Sequence, residues 1–145
     1  MIQRIQSLFL LIAGMGYFAV FFLPVATAEE TFGTIMADGV FQVDEYVWLL
    51  LVAVLAVLLS VVNIFLFKNR NVQKKLCLVT SVLGLAWIVI AFSKILYLEE
   101  KGGGETVVSH GAAFIAVLLA IVFTAMAFHF IRKDDKLVKS MNSLR

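Results

Sequence analysis

Four long apolar stretches divide the chain, separated by short polar links. They run over residues 5–23, which end at Pro24, then 46–67, 76–98 and 110–131. The second contains no charged residue and the third contains one, Lys94. A bilayer hydrocarbon core about 30 Å thick is crossed by roughly 20 apolar residues in a helix. Backbone amides in lipid must pair within their own segment, so each stretch is predicted to be a helix. The expected fold is an all-α membrane protein. Its four transmembrane helices form an up-down-up-down bundle, one integral membrane domain over residues 1–145, with a tail over 132–145. The first stretch also has signal-peptide features, Arg4 ahead of it and Ala26-Thr27-Ala28 after it. Its apolar run exceeds the 7–15 residues of a signal h-region, so a retained anchor helix is expected.

Composition agrees with this pattern. Of 145 residues, 62% are hydrophobic and 15% charged, and mean hydropathy is +1.00. A soluble domain is about half apolar and about a quarter charged. These values exclude an ordinary soluble domain and a disordered chain.

Charge then predicts orientation. Arg4, Lys68, Arg70, Lys74, Lys75, Arg132, Lys133, Lys136, Lys139 and Arg145 flank one side of the spans. Glu29, Glu30, Asp38, Asp44, Glu45, Glu99, Glu100 and Glu105 lie on the other side, with only Lys94 and Lys101. Ten basic residues against two place both termini in the cytoplasm under the positive-inside rule. The basic face suits anionic lipid headgroups, although topology alone also accounts for it. Nucleic-acid binding is not expected, because no aromatic platform accompanies the charge.

Small residues are expected to bring the helices together. Ala112, Ala116, Ala120 and Thr124 form a ridge at every fourth position. Ala53, Ala56, Ser60 and Asn63 alternate three and four apart, and Gly84 sits in the third span. Asn63 is expected to bond across helices, and Trp87 to need a partner for its N–H. The first outer loop holds Asp38-Gly39 between β-prone runs at 31–36 and 40–43. A small periplasmic β-hairpin is favoured there over a structureless loop. In the tail, Leu137, Val138, Met141 and Leu144 share one side of a helix, opposite Arg132, Lys136 and Lys139. This amphipathic segment is expected to dock on a partner or the interface through Leu137, Met141 and Leu144, with Asp134 or Asp135 capping its start.

Candidate chemistry is sparse. Lys94, about one turn from the outer end of its span, is the polar intramembrane candidate. It is expected to snorkel towards Glu99, Glu45 or a lipid phosphate. His110 and His129 are 19 residues apart, about 28 Å along a helix, too far to share a metal. Cys77 is the only cysteine, so no intrachain disulfide is possible. No H-E-x-x-H, G-x-S-x-G or Walker motif occurs. No catalytic residue, metal or cofactor is assigned, and an enzyme is not expected.

Three polar blocks carry a resemblance. They are Met1-Ile2-Gln3-Arg4-Ile5-Gln6, Phe67-Lys68-Asn69-Arg70 through Gln73, and Arg132-Lys133-Asp134-Asp135-Lys136-Leu137-Val138 to Arg145. The chain resembles, over its full length, a family of four-span inner-membrane proteins of Bacteroidota, domain-of-unknown-function family 4293. That resemblance implies a Gram-negative inner membrane and outer loops in the periplasm; it carries no activity. The expected role is a non-enzymatic accessory or scaffold subunit of a larger inner-membrane assembly for protein export, envelope biogenesis or respiration. Its partners would be the bilayer and other inner-membrane subunits. The alternative is a small oligomeric transporter or channel, with Lys94, Asn63, Trp87 and Thr124 lining a cavity.

Overall fold

A computed structural model describes residues 2–28, 38–67, 69–101 and 109–142. Four helices dominate it: α1 (Ile2–Ala19), α2 (Val47–Phe65), α3 (Arg70–Lys101) and α4 (Ala112–Asn142). Among the described residues three helices are long and apolar enough to cross a membrane, Val47–Phe65, Arg70–Glu100 and Ala112–Val138. Ile5–Ala19 is a shorter apolar helix. At 1.5 Å per residue, the 32 residues of α3 and 31 of α4 reach about 48 and 46 Å, roughly 17 Å more than a hydrocarbon core of about 30 Å.

The helices pack as a closed ring, α1 on α2, α2 on α3, α3 on α4 and α4 on α1. One periodicity governs every buried face. It reads Gln6, Leu10, Ala13 and Tyr17 on α1, with Val20 just past its end, and Leu49, Ala53, Ala56, Ser60 and Asn63 on α2. On α3 it reads Gln73, Cys77, Thr80, Gly84, Trp87 and Ala91, and on α4 Ala113, Val117, Ala120, Thr124, Ala127 and Ile131. Steps of four and three average 3.5 residues, the repeat that keeps a seam facing its neighbour in coiled-coil packing. The ridge expected on α4 is corrected accordingly. Ala112 is exposed and Ala116 half-buried, while Ala120 and Thr124 are buried. A strict four-step row drifts by about 40° per step around a helix with 3.6 residues per turn, so Ala112 falls outside the interface while Ala116 packs against the core and Ala120 and Thr124 lie within it.

Large apolar side chains point outward instead. Leu51, Leu55, Leu58 and Val62 of α2 and Leu78, Val82, Leu85 and Val89 of α3 are all exposed. Phe22, just past α1, and Phe65, in the last turn of α2, are about three-quarters exposed. Such a surface is tolerable in lipid and would be an association patch in water.

The end of the bundle opposite the α2–α3 link carries a three-stranded sheet in the order β2-β1-β3, where β1 is Ala26–Thr27, β2 is Val40–Phe41 and β3 is Ser109–His110. All pairs are antiparallel, with Ala26 opposite both Phe41 and His110. Val40–Phe41, at one arm of the expected hairpin, pairs with Ala26–Thr27; the other arm, 31–36, lies outside the described residues. Gly39 sits at φ 75°, a conformation suited to glycine, and its carbonyl accepts from the Ala28 amide at 2.8 Å. The start of α4 is tied to the same cap. The Gly111 amide donates to the Val25 carbonyl at 2.9 Å, and the Ala113 amide to Pro24 at 3.1 Å. Val25, Ala26, Phe41 and Val43 are buried beneath the sheet and join the core of the bundle.

The tail expectation also changes. The described helix α4 continues to Asn142 without a break. Asp134 and Asp135 lie within it and do not cap a new helix.

Candidate functional site

Two ends of the bundle carry polar side chains, and the richer is the end with the α2–α3 link. Asn63, in the last turn of α2, and Gln73, in the first turns of α3, are both about 1% exposed. The Gln73 side-chain amide donates to the Asn63 carbonyl at 3.0 Å. The Asn63 amide faces the Gln73 carbonyl at 3.4 Å and Cys77 Sγ at 3.2 Å. This reciprocal pair clamps the turn between α2 and α3. On the opposite wall, Gln6 Nε2 of α1 donates to the Phe130 carbonyl of α4 at 3.2 Å.

Ion pairs bind α3 to α4 at the same end. Arg70 Nε lies 3.0 Å from Asp134 Oδ2, an ion pair without an aligned hydrogen bond. Lys74 Nζ donates to Asp135 Oδ2 at 2.7 Å. All four side chains are largely shielded, so these pairs hold better than fully exposed ones. The three polar blocks read from the sequence therefore meet here: Gln6 from the first, Arg70 and Gln73 from the second, Asp134 and Asp135 from the third. Distance along the chain hid this meeting; the like spacing of Arg70/Lys74 and the adjacency of Asp134/Asp135 were the available signal.

Further into the bundle the polar lining continues and then stops. Ser60 and Thr124 hydroxyls donate to carbonyls four residues back, Ala56 and Ala120, each at 2.8 Å. Tyr17 Oη reaches from α1 across the bundle to the Thr80 carbonyl at 3.3 Å. Asn63 Oδ1, Gln73 Oε1, Thr80 Oγ1 and Trp87 Nε1 are buried without a hydrogen-bond partner among the described residues. Above Tyr17 the core is apolar, and the space bounded by Tyr17, Val20, Ala53, Ala56, Leu83, Gly84, Trp87 and Val117 has no room for a water molecule. A Cβ on Gly84 would lie 2.8 Å from Tyr17 Oη and from Ile121 Cγ1. That close fit is what seals the middle of the bundle.

The remaining sequence candidates fall elsewhere. Lys94 lies towards the sheet end of the bundle, its ammonium 4.8 Å from the Tyr46 ring centroid and 4.9 Å from that of Tyr97, in cation–π range. It is remote from Asn63, so the four residues named for a transport cavity do not share one site. His110 stacks on Phe92 and meets Phe114 edge-on, while His129 meets Phe130 edge-on. Of the candidate docking residues, Leu137 is 46% exposed. The Met141 side chain and Leu144 lie outside the described residues. Among the described residues no group of three or more His, Cys, Asp or Glu is placed to hold a metal.

Long apolar helices that turn rows of large apolar side chains outward define an integral membrane protein built as a helical bundle. The chain matches the family described as Domain of unknown function (DUF4293) over residues 2–144, and it belongs to that family. No curated protein and no solved structure matches it.

Proposed function

We propose that this protein is a non-enzymatic accessory or scaffold subunit of a larger assembly in a bacterial inner membrane. In this reading it spans the bilayer four times, up-down-up-down, with both termini cytoplasmic. The carrying observation is the sealed middle of the bundle. Tyr17, Gly84 and Trp87 meet there without room for water, which suits a protein that works through its surfaces. Protein-export, envelope-biogenesis and respiratory assemblies are the candidates. The test is purification from native membranes in mild detergents, with mass spectrometry of what remains bound. Defined partner subunits are expected, with Leu137→Asp reducing their recovery. A lone monomer under every condition overturns the reading.

The second reading, a small oligomeric transporter or channel, draws support from the buried, unpaired polar atoms of Asn63, Gln73 and Thr80. Flux in reconstituted liposomes that Asn63→Leu abolishes would put this reading first.

A further inference from the structure

The exposed face of α4 changes character along its length. Ile115, Leu118, Leu119, Val122 and Met126 are exposed and apolar. One turn beyond Met126 the same face becomes His129, Arg132, Lys133 and Lys136, all exposed, around a shallow recess of about 430 Å³. At 100° per residue these four fall within about a third of the helix circumference, in line with Val122 and Met126. The acids of this stretch are turned away. Asp134 and Asp135 face α3 and are neutralised by Arg70 and Lys74. The recess therefore keeps the full positive charge of Arg132, Lys133 and Lys136.

We infer that this recess binds the phosphate headgroup of an anionic phospholipid whose acyl chains lie along Val122 and Met126. The continuity of the apolar strip with the basic recess selects a lipid over a free anion. Both halves of an amphiphile are met on one helix face, and a hydrocarbon core about 30 Å thick counted from Ala112 at 1.5 Å per residue ends near Ile131, close to the step between them. The Arg132 guanidinium presents paired donors to phosphate oxygens, and Lys133 and Lys136 add mobile ammonium groups within a turn. The inference needs α4 to lie in the bilayer and does not depend on the scaffold role, so partner recovery and lipid retention test separate ideas.

The experiment is native mass spectrometry of the full chain released from nanodiscs containing phosphatidylglycerol or phosphatidylcholine. The wild type should retain phosphatidylglycerol preferentially. The triple variant Arg132→Gln/Lys133→Gln/Lys136→Gln should bind it roughly a hundredfold more weakly, from about fivefold per basic residue near an anionic surface. Lys75→Gln, which removes an exposed basic residue of α3, should change binding by less than about twofold. Lys133→Arg/Lys136→Arg should keep the lipid, and circular dichroism checks that each variant is folded. Equal retention by the triple variant, an equal loss in Lys75→Gln, or a loss in the charge-keeping variant overturns the inference. So does displacement of the lipid by excess inorganic phosphate, which would mark a free-anion site.

Discussion

Gly16 shows how little space separates α1 from α4. A Cβ placed on it would stand 2.9 Å from Ala120 Cβ and 3.1 Å from the Ala116 carbonyl oxygen. Both neighbours belong to a helix backbone or sit directly on it, so neither can rotate away. Gly16→Leu is expected to destabilise the bundle by about 1–3 kcal/mol, the usual cost of overpacking, read as a lower midpoint of thermal unfolding in detergent. Ala112→Leu, on the exposed side of the expected ridge, should stay within about 0.5 kcal/mol of the wild type. Equal losses in the two variants would contradict the 3.5-residue seam. Asn63 and Gln73 offer a second residue-scale test. Each side chain bonds the other's backbone or lies against it, so Asn63→Leu and Gln73→Leu should be non-additive. A double-mutant cycle should give a coupling of about 0.5–2 kcal/mol, near or above the membrane average of about 0.6. Additive losses would show that the clamp does not act as a unit.

At the level of elements, the lower ends of α3 and α4 do what the tail alone was expected to do. A separate amphipathic segment of 14 residues, 132–145, would be marginal as a helix in water. As the continuation of α4, residues 132–142 need no new nucleus, and α3 braces them through Arg70 and Lys74. Asp134→Asn/Asp135→Asn should accordingly loosen this end without melting the bundle. Amide hydrogen exchange past Ile131 should quicken markedly, while the unfolding midpoint moves by only a few degrees, because shielded surface pairs contribute about 1 kcal/mol or less each. Unchanged exchange would assign the order of the tail to something other than these pairs. The sheet at the opposite end makes the same point. Two-residue strands are too short to stand alone, yet β1 joins both outer loops because Val25, Ala26 and Phe41 are buried on the bundle beneath them.

For the whole molecule, the charge asymmetry of ten basic residues against two predicts a single orientation. In a Cys77→Ala background, Ser109→Cys in the outer sheet should react with a membrane-impermeant maleimide in intact spheroplasts. Ser140→Cys on α4 should react only after the membrane is opened. The reverse pattern would invert the topology and place the basic recess of α4 on the outer face. Much of this architecture was legible in the chain. The four helices follow from the four apolar runs, three of them long enough to cross a bilayer and the first shorter, because in lipid a backbone without water must close its own hydrogen bonds. The small-residue row of α2 was legible too, since its steps of three and four already match the period of a packed seam. The polar clamp was legible only at Asn63, expected to bond across helices and found to bond to α3; its partner was not. Gln73 reads as one more polar residue in a basic link until α2 lies against it, and Asp134 reads as a cap until Arg70 stands opposite. The partner of β2 was equally hidden, because strands this short carry no period and pair with whatever the helix ends bring near. Local rules of hydropathy, charge and helical period act within a segment, so the sequence by itself determined the helices, their membrane character and the sidedness of their charge. Which faces meet, which loops pair and where the bundle seals depend on contacts between residues far apart in the chain, and only the tertiary structure decided those.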